Sequence, residues 1–181
     1  MRRVILTVGP QCAGKSTFAQ SVVRAHPDVH IVSRDAILME LCGSIYADAY
    51  SGTHEAAWDI LWRKLAARLE NPDVTIILDA WNGPPEERVR IAQKVREMRV
   101  DCLAAWHFVT PLDTNIAWSF DRKPIECKKP IYTAYAREQR IGTCTRIHGL
   151  FAALHLQEEG VFDVVRHINP CDPVPSDILA L

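Results

Sequence analysis

The chain has 181 residues, 48% of them hydrophobic and 24% charged, with a formal net charge of −1. That length suits one domain with a sizeable core, and the near-neutral balance offers no bulk attraction to nucleic acid or to an anionic membrane. No stretch approaches the ~20 apolar residues of a membrane span, and the six cysteines form neither a C-x-x-C pair nor a zinc-spaced cluster, which points to free thiols in a reducing compartment.

Residues 2–8, Arg-Arg-Val-Ile-Leu-Thr-Val, read as a buried strand. Next comes Gly9-Pro10-Gln11-Cys12-Ala13-Gly14-Lys15-Ser16, with Thr17 behind it. The spacing is G-x-x-x-x-G-K-S, the phosphate-binding P-loop, set between a strand and a helix as that motif requires. The two glycines let backbone fold around an anion without a Cβ in the way, and successive N–H groups and the positive end of the next helix face the phosphates. Residues Gly9 to Thr17 are therefore the expected ATP-binding set, with Lys15 on the β- and γ-phosphates and the Ser16 hydroxyl on Mg²⁺. The apolar run after Met1 is too short for a leader peptide and runs straight into this loop, so a cytoplasmic location is expected.

A helix is predicted from Lys15 to about Ala25, stopped by His26-Pro27-Asp28. Residues 29–33 form a short strand ending at Arg34-Asp35, and a short helix follows from Ala36 to Leu41. Residues 44–53 read as a loop and 54–69 as an amphipathic helix with period 3.6. Residues 74–78 are the clearest strand, closing on Asp79-Ala80-Trp81-Asn82-Gly83. Pro84-Pro85-Glu86-Glu87 opens a helix to about Met98, with acids at its positive end. A strand over 101–109 and a helix from Pro111 through Arg122 follow. Residues 123–130 read as a cationic lid with two prolines, 131–140 and 147–158 as two helices, and 161–168 as the last strand before an irregular tail.

Apolar strands alternating with helices predict a parallel sheet covered on both faces, as one domain over residues 1–181. Ligands of such sheets bind at the carboxyl ends of the strands, where the P-loop, Asp35 and Asp79 all fall. Asp79 fits a metal-holding carboxylate, with a turn-forming Asp as the plain alternative. Asp35 suits the base that takes a proton from an attacking hydroxyl, and it also suits a helix cap; the two roles are compatible. Arg122 is the cation expected to close over the transferring phosphoryl. Trp58, Trp62, Trp106 and Trp118 read as packing, whereas Trp81 follows Asp79 at the active edge and is a candidate contact for the acceptor.

These residues resemble the 5′-kinase domain of phage-type polynucleotide kinases, relatives of the zeta toxins and chloramphenicol phosphotransferase. The likeness covers roughly residues 2–140: G-x-x-x-x-G-K-S-T, the R-D of Ser33-Arg34-Asp35, the D-x-x-N of Asp79-Ala80-Trp81-Asn82 with its Pro-Glu-Glu-Arg helix start, and Arg122 before a lid. It implies a three-layer P-loop NTPase fold with a five-stranded parallel sheet and a lid, using ATP and Mg²⁺. It also implies that Lys15, Asp35 and Arg122 are catalytic, that Ser16 meets the metal, and that Arg34, Asp35 and Asp79 meet the acceptor. Asp79 thus has a metal role from its position and an acceptor role from the likeness. The pattern is broken in two places. Leu38 stands where the polynucleotide kinases carry an Arg that grips a 3′-phosphate, and Trp118-Ser119 replace an Arg-Asn pair.

The expected activity is transfer of the ATP γ-phosphoryl to a hydroxyl, first of all the 5′-OH of DNA or RNA. A nucleoside, sugar or antibiotic is the alternative acceptor, and a nucleotide-driven ATPase module is a reading from another class. No membrane partner is expected.

Overall fold

The computed structural model describes residues 1–45, 52–121, 137–152 and 160–181. The described residues form five strands and six helices: β1 (Arg2–Val8), α1 (Lys15–Ala25), β2 (Val29–Ser33), α2 (Arg34–Cys42), α3 (Thr53–Leu69), β3 (Val74–Asp79), α4 (Pro85–Glu97), β4 (Cys102–Phe108), α5 (Leu112–Asp121), α6 (Arg137–Ala152) and β5 (Val164–Ile168). The strands form one parallel sheet in the order β2-β3-β1-β4-β5. This is the three-layer α/β P-loop arrangement that the alternation predicts.

The central strands lack polar faces because both faces are covered. Every residue of β3 and β4 is buried. Side chains alternate across the pleat. Val4, Leu6, Ile76, Leu78, Leu103 and Ala105 face one layer, where α2, α3, α4 and α6 pack. Ile5, Ile77, Ala104, Trp106 and Phe108 face the other, where α1 presents Phe18, Ala19 and Val22. The tail closes that second layer: Ile178 is fully buried there, and Arg166 bonds Asp177 and the Ala180 carbonyl.

On α3 the buried stripe is Ala57, Leu61, Leu65 and Leu69, one residue per turn, while Lys64 stays exposed. Trp106 is core; Trp58, Trp62 and Trp118 are half-buried, and Trp58 and Trp62 stack on one another.

Three boundaries differ from the sequence reading. Residues 137–152 form one helix, where a break was expected after Arg140. Gly142 is tolerated inside it, and the Thr145 hydroxyl bonds back to the Ile141 carbonyl rather than ending the turn. The last strand starts at Val164 instead of Val161, because Asp163 pins its entry. The Asp163 carboxylate accepts from Arg96 and from Leu103 N, both at 2.7 Å, while its own N–H bonds Leu103 O. Finally, α2 begins at Arg34, and its N-cap is Ser33, whose hydroxyl accepts from Ala36 N at 3.4 Å. Asp35 is therefore a first-turn residue and not the cap.

Candidate functional site

The site grows from the end of β1. Gly9 packs so closely that a Cβ there would sit 2.9 Å from Phe108 Cβ at the end of β4. Gly14 caps α1 in the left-handed region at φ 78, and a Cβ on it would meet Pro170 at 2.9 Å and the Trp118 ring at 3.0 Å. Both backbone freedom and close walls therefore demand glycine at residue 14. Cys12 is also left-handed, at φ 58. Alternating hands of this kind curl successive N–H groups into a concave anion nest. The Lys15 ammonium lies across the mouth of the loop and donates to Gly9 O at 2.8 Å and Pro10 O at 2.7 Å.

The sheet register brings Asp79 to this loop. Ser33, the last residue of β2, pairs with Asp79, the last of β3. Asp79 is only 7% exposed and collects three hydroxyls: Ser16 Oγ at 2.7 Å, Thr7 Oγ1 at 3.1 Å and Ser33 Oγ at 3.5 Å. A carboxylate and a serine hydroxyl in contact at the start of a P-loop helix are hard oxygen donors. That donor set fits Mg²⁺, which takes one or two protein oxygens and keeps its waters. Among the described residues there is no group of three His, Cys, Asp or Glu side chains able to cage a metal alone.

Asp35 stands two residues past Ser33, half-buried in the first turn of α2. Its neighbour Arg34 reaches α3. The Arg34 guanidinium contacts His54 Nδ1 on α3 and lies over the Trp58 ring, 5.5 Å from its centroid. Of the R-D pair, the arginine is thus engaged by α3. Leu38, one turn on, is fully buried in the core under α3. A cleft of about 320 Å³ opens beside Ser16 and Asp79, lined also by Gln20 of α1, Ile37 of α2 and the ion-paired Glu40 and Lys64.

Trp81 is packed more firmly than its neighbourhood suggested. It meets Phe151 of α6 edge-on, with centroids 5.9 Å apart, and a Cβ at Gly83 would run into its ring. Asn82, 1% exposed, ties the ends of β1 and β3 by donating to Thr7 O at 2.6 Å and Ala80 O at 3.1 Å. Arg88, buried in α4, donates to Gly83 O at 2.6 Å and braces the same turn. Arg122 and the lid at 123–130 lie outside the described residues.

Sequence reasoning missed Thr7, Ser33, Thr110 and Asn115. Thr7 carried a signal, being the one polar residue between apolar neighbours in β1, and it proves to hold Asp79. Thr110 and Asn115 carried none. They bond P-loop carbonyls from about a hundred residues away, with Thr110 Oγ1 donating to Ala13 O at 2.9 Å and Asn115 Nδ2 to Gln11 O.

Beyond the loop, His107 of β4 contacts His167 of β5, their Nδ1 atoms 3.1 Å apart. Burial, and then the neighbouring His167, hold its pKa down to about 4. No helix among the described residues is long and apolar enough to cross a membrane.

A family model described as an AAA domain (AAA_33) matches residues 4–128. No curated protein sequence matches the chain. Solved structures are similar in fold. A chain of the Pnkp1/Rnl/Hen1 RNA repair complex superposes with a TM-score of 0.64 at 17% identity, covering 82% of this chain and 45% of that one. The chain thus spans less than half the length of that relative. A provisionally assigned kinase from Chloroflexus aurantiacus gives 0.69 at 14% identity, over 99% and 94% of the two chains. Shikimate kinase from Bacteroides thetaiotaomicron gives 0.58 at 10% identity, over 99% and 93%.

Proposed function

We propose that this chain, which belongs to the AAA domain family, is a single-domain kinase that moves the γ-phosphoryl of ATP onto a substrate hydroxyl. The observation that supports this best is the meeting of Ser16 with Asp79 at 2.7 Å, with Asp35 just past the adjoining strand end. A nucleotide switch needs the phosphate loop; it has no use for a second carboxylate such as Asp35 beside the same strand end.

In the proposed reaction the acceptor oxygen bonds to the γ-phosphorus, the bond from that phosphorus to the β–γ bridging oxygen breaks, and ADP leaves. Asp35 accepts the acceptor's hydroxyl proton and returns it to solvent. Lys15 stabilises charge on the β- and γ-oxygens, with Arg122 assigned to the same task from the lid side. Phosphoryl transfer depends on positioning and charge more than on covalent help, so these few groups suffice. Mg²⁺, when bound, neutralises phosphate charge, and Ser16 and Asp79 are the residues that would hold it. The Ser16 contact favours this metal role for Asp79 over an acceptor role.

The leading acceptor is a polynucleotide 5′-OH, carried by the run of motifs from the P-loop through Asp35 to Asp79-Ala80-Trp81-Asn82. A small alcohol is the second reading, and two observations favour it. Leu38 is sealed in the core where a 3′-phosphate grip would stand, and the cleft beside Ser16 has a volume suited to one small ligand. Incubation with γ-labelled ATP, Mg²⁺ and separate pools of 5′-OH DNA, 5′-OH RNA, nucleosides and sugars decides. Label on oligonucleotides supports the first reading, and label confined to a small molecule replaces it with the second. Free phosphate that no acceptor increases overturns the kinase in favour of an ATPase.

A further inference from the structure

The phosphate loop is held from outside by two side chains that belong to none of its motifs. Thr110 lies between β4 and α5 and is 2% exposed; Asn115 lies in α5 and is 1% exposed. Each donates to a loop carbonyl, Thr110 to Ala13 O at 2.9 Å and Asn115 to Gln11 O. Asn115 sits there at a cost. Its Oδ1 is buried and makes no hydrogen bond among the described residues, so an apolar side chain of the same size would be cheaper to bury. Thr110 is itself seated, its own carbonyl in contact with His148 Nε2 of α6 at 2.9 Å.

We propose that Thr110 and Asn115 are positioning residues that set the anion-binding face of the P-loop. The stereochemistry is that of the trans peptide, in which the C=O of one residue and the N–H of the next point in opposite directions. No peptide bond among the described residues is cis. Drawing the Gln11 carbonyl outward toward α5 therefore turns the Cys12 N–H inward. Drawing the Ala13 carbonyl outward does the same for the Gly14 N–H. These are the two residues whose left-handed φ values, 58 and 78, shape the nest. Without the donors, both peptide planes gain freedom to turn, and phosphate binding must bear the cost of ordering them. The inference rests on the reading that this loop takes nucleotide phosphates.

Calorimetric titration with ATP and, separately, with inorganic tripolyphosphate tests it. Thr110→Val keeps the shape and removes the donor. It is expected to raise Kd for both ligands about ten-fold, the scale of one lost hydrogen bond to a buried group. Asn115→Leu is expected to do the same. Thr110→Ser keeps the hydroxyl and is expected to stay within roughly two-fold of wild type. In turnover, KM for ATP rises in Thr110→Val while KM for the acceptor holds, a split that general loosening of the fold would not produce. Unchanged Kd for both ligands in Thr110→Val overturns the proposal, as does a loss that Thr110→Ser fails to rescue. If Asn115→Leu does not fold, Thr110→Val decides alone. Wild-type protein that takes up neither ATP nor tripolyphosphate overturns the nucleotide reading, and this inference with it; wild-type binding that the variants leave intact overturns only the inference.

Discussion

The two sides of the sheet edge are built on different plans. On the donor side, the P-loop is locked by its own lysine, by Asp79 through Ser16, and from outside by Thr110 and Asn115. On the proposed acceptor side, α2 carries the half-buried Asp35 near the same edge, but Arg34 is engaged by His54 and Trp58 and Leu38 is sunk into the core. The difference teaches where specificity resides. Every nucleoside triphosphate presents the same phosphates, so a compact local motif serves them all. In the proposed kinase an acceptor would be chosen by single side chains near α2, whose direction depends on how that helix packs against α3.

The largest expected effects separate the two sides by kinetics. Lys15→Ala should lower transfer at least ~10²-fold, as loss of one preorganised charge does, and weaken ATP binding with it. Asp35→Ala should cost transfer about 10²- to 10⁴-fold, the range of general-base loss, while ATP Kd stays near wild type. Single-turnover rates set beside calorimetric Kd values check both. Lost ATP affinity in Asp35→Ala would refute its role as the base.

Next in size is the packing beneath α2. Leu38→Ala should lower unfolding free energy by about 2–5 kcal/mol, the cost of a cavity where a buried leucine stood. Leu38→Arg should fail to fold rather than create a phosphate grip, because it buries an unpaired charge. Denaturant titration reads both, and a stable Leu38→Arg protein that gains affinity for 3′-phosphorylated oligonucleotides would erase the contrast drawn here.

His107 sharpens the comparison at the P-loop end of the sheet, where it pairs with Val8 at the base of the loop. Its pKa is lowered to about 4, so between pH 4 and 6.5 the unfolded chain binds the proton more readily than the folded one. Its contribution to stability is complete above about pH 6.5 and is lost as pH falls toward 4, with about 3 kcal/mol at stake. Burial comes first among the causes and the nearby His167 second; a hydrogen bond with the Phe151 backbone acts the other way, and the charge of Arg88 adds a smaller lowering. Stability measured against pH should show that slope in wild type and a flatter one in His107→Gln, with transfer at neutral pH unchanged.

The smallest effect concerns the cleft. Glu40 and Lys64 are 64% and 47% exposed, so Lys64→Ala should change stability by less than about 0.5 kcal/mol. A rise in acceptor KM far beyond that would place the cleft in acceptor binding.

What was legible followed locality. The P-loop lies within eight consecutive residues, and the strand and helix around it follow from apolar runs and stop signals. Asp79 was visible because it closes the clearest strand. The cap at α2 was misjudged because Ser33 and Asp35 are both good cap formers, and only the helix start tells them apart. The break expected before Ile147 failed because the packing of Ile147 and Phe151 onto the sheet carries α6 through Gly142. The contact of Arg34 with α3 was invisible, since its partners lie twenty residues and more along the chain.

By itself, then, the sequence determined a parallel α/β sheet with a phosphate-binding loop at the end of its first strand, because backbone preference and hydrophobic period act over a few residues at a time. The tertiary structure decided which side chains serve that loop. Thr110 and Asn115 reach it only when β4 lies beside β1, Ser33 meets Asp79 only in the register of β2 on β3, and Leu38 faces inward only because α3 packs over α2. Contacts between residues so far apart in the chain leave no periodic trace in it, and they exist only once the sheet order has been set.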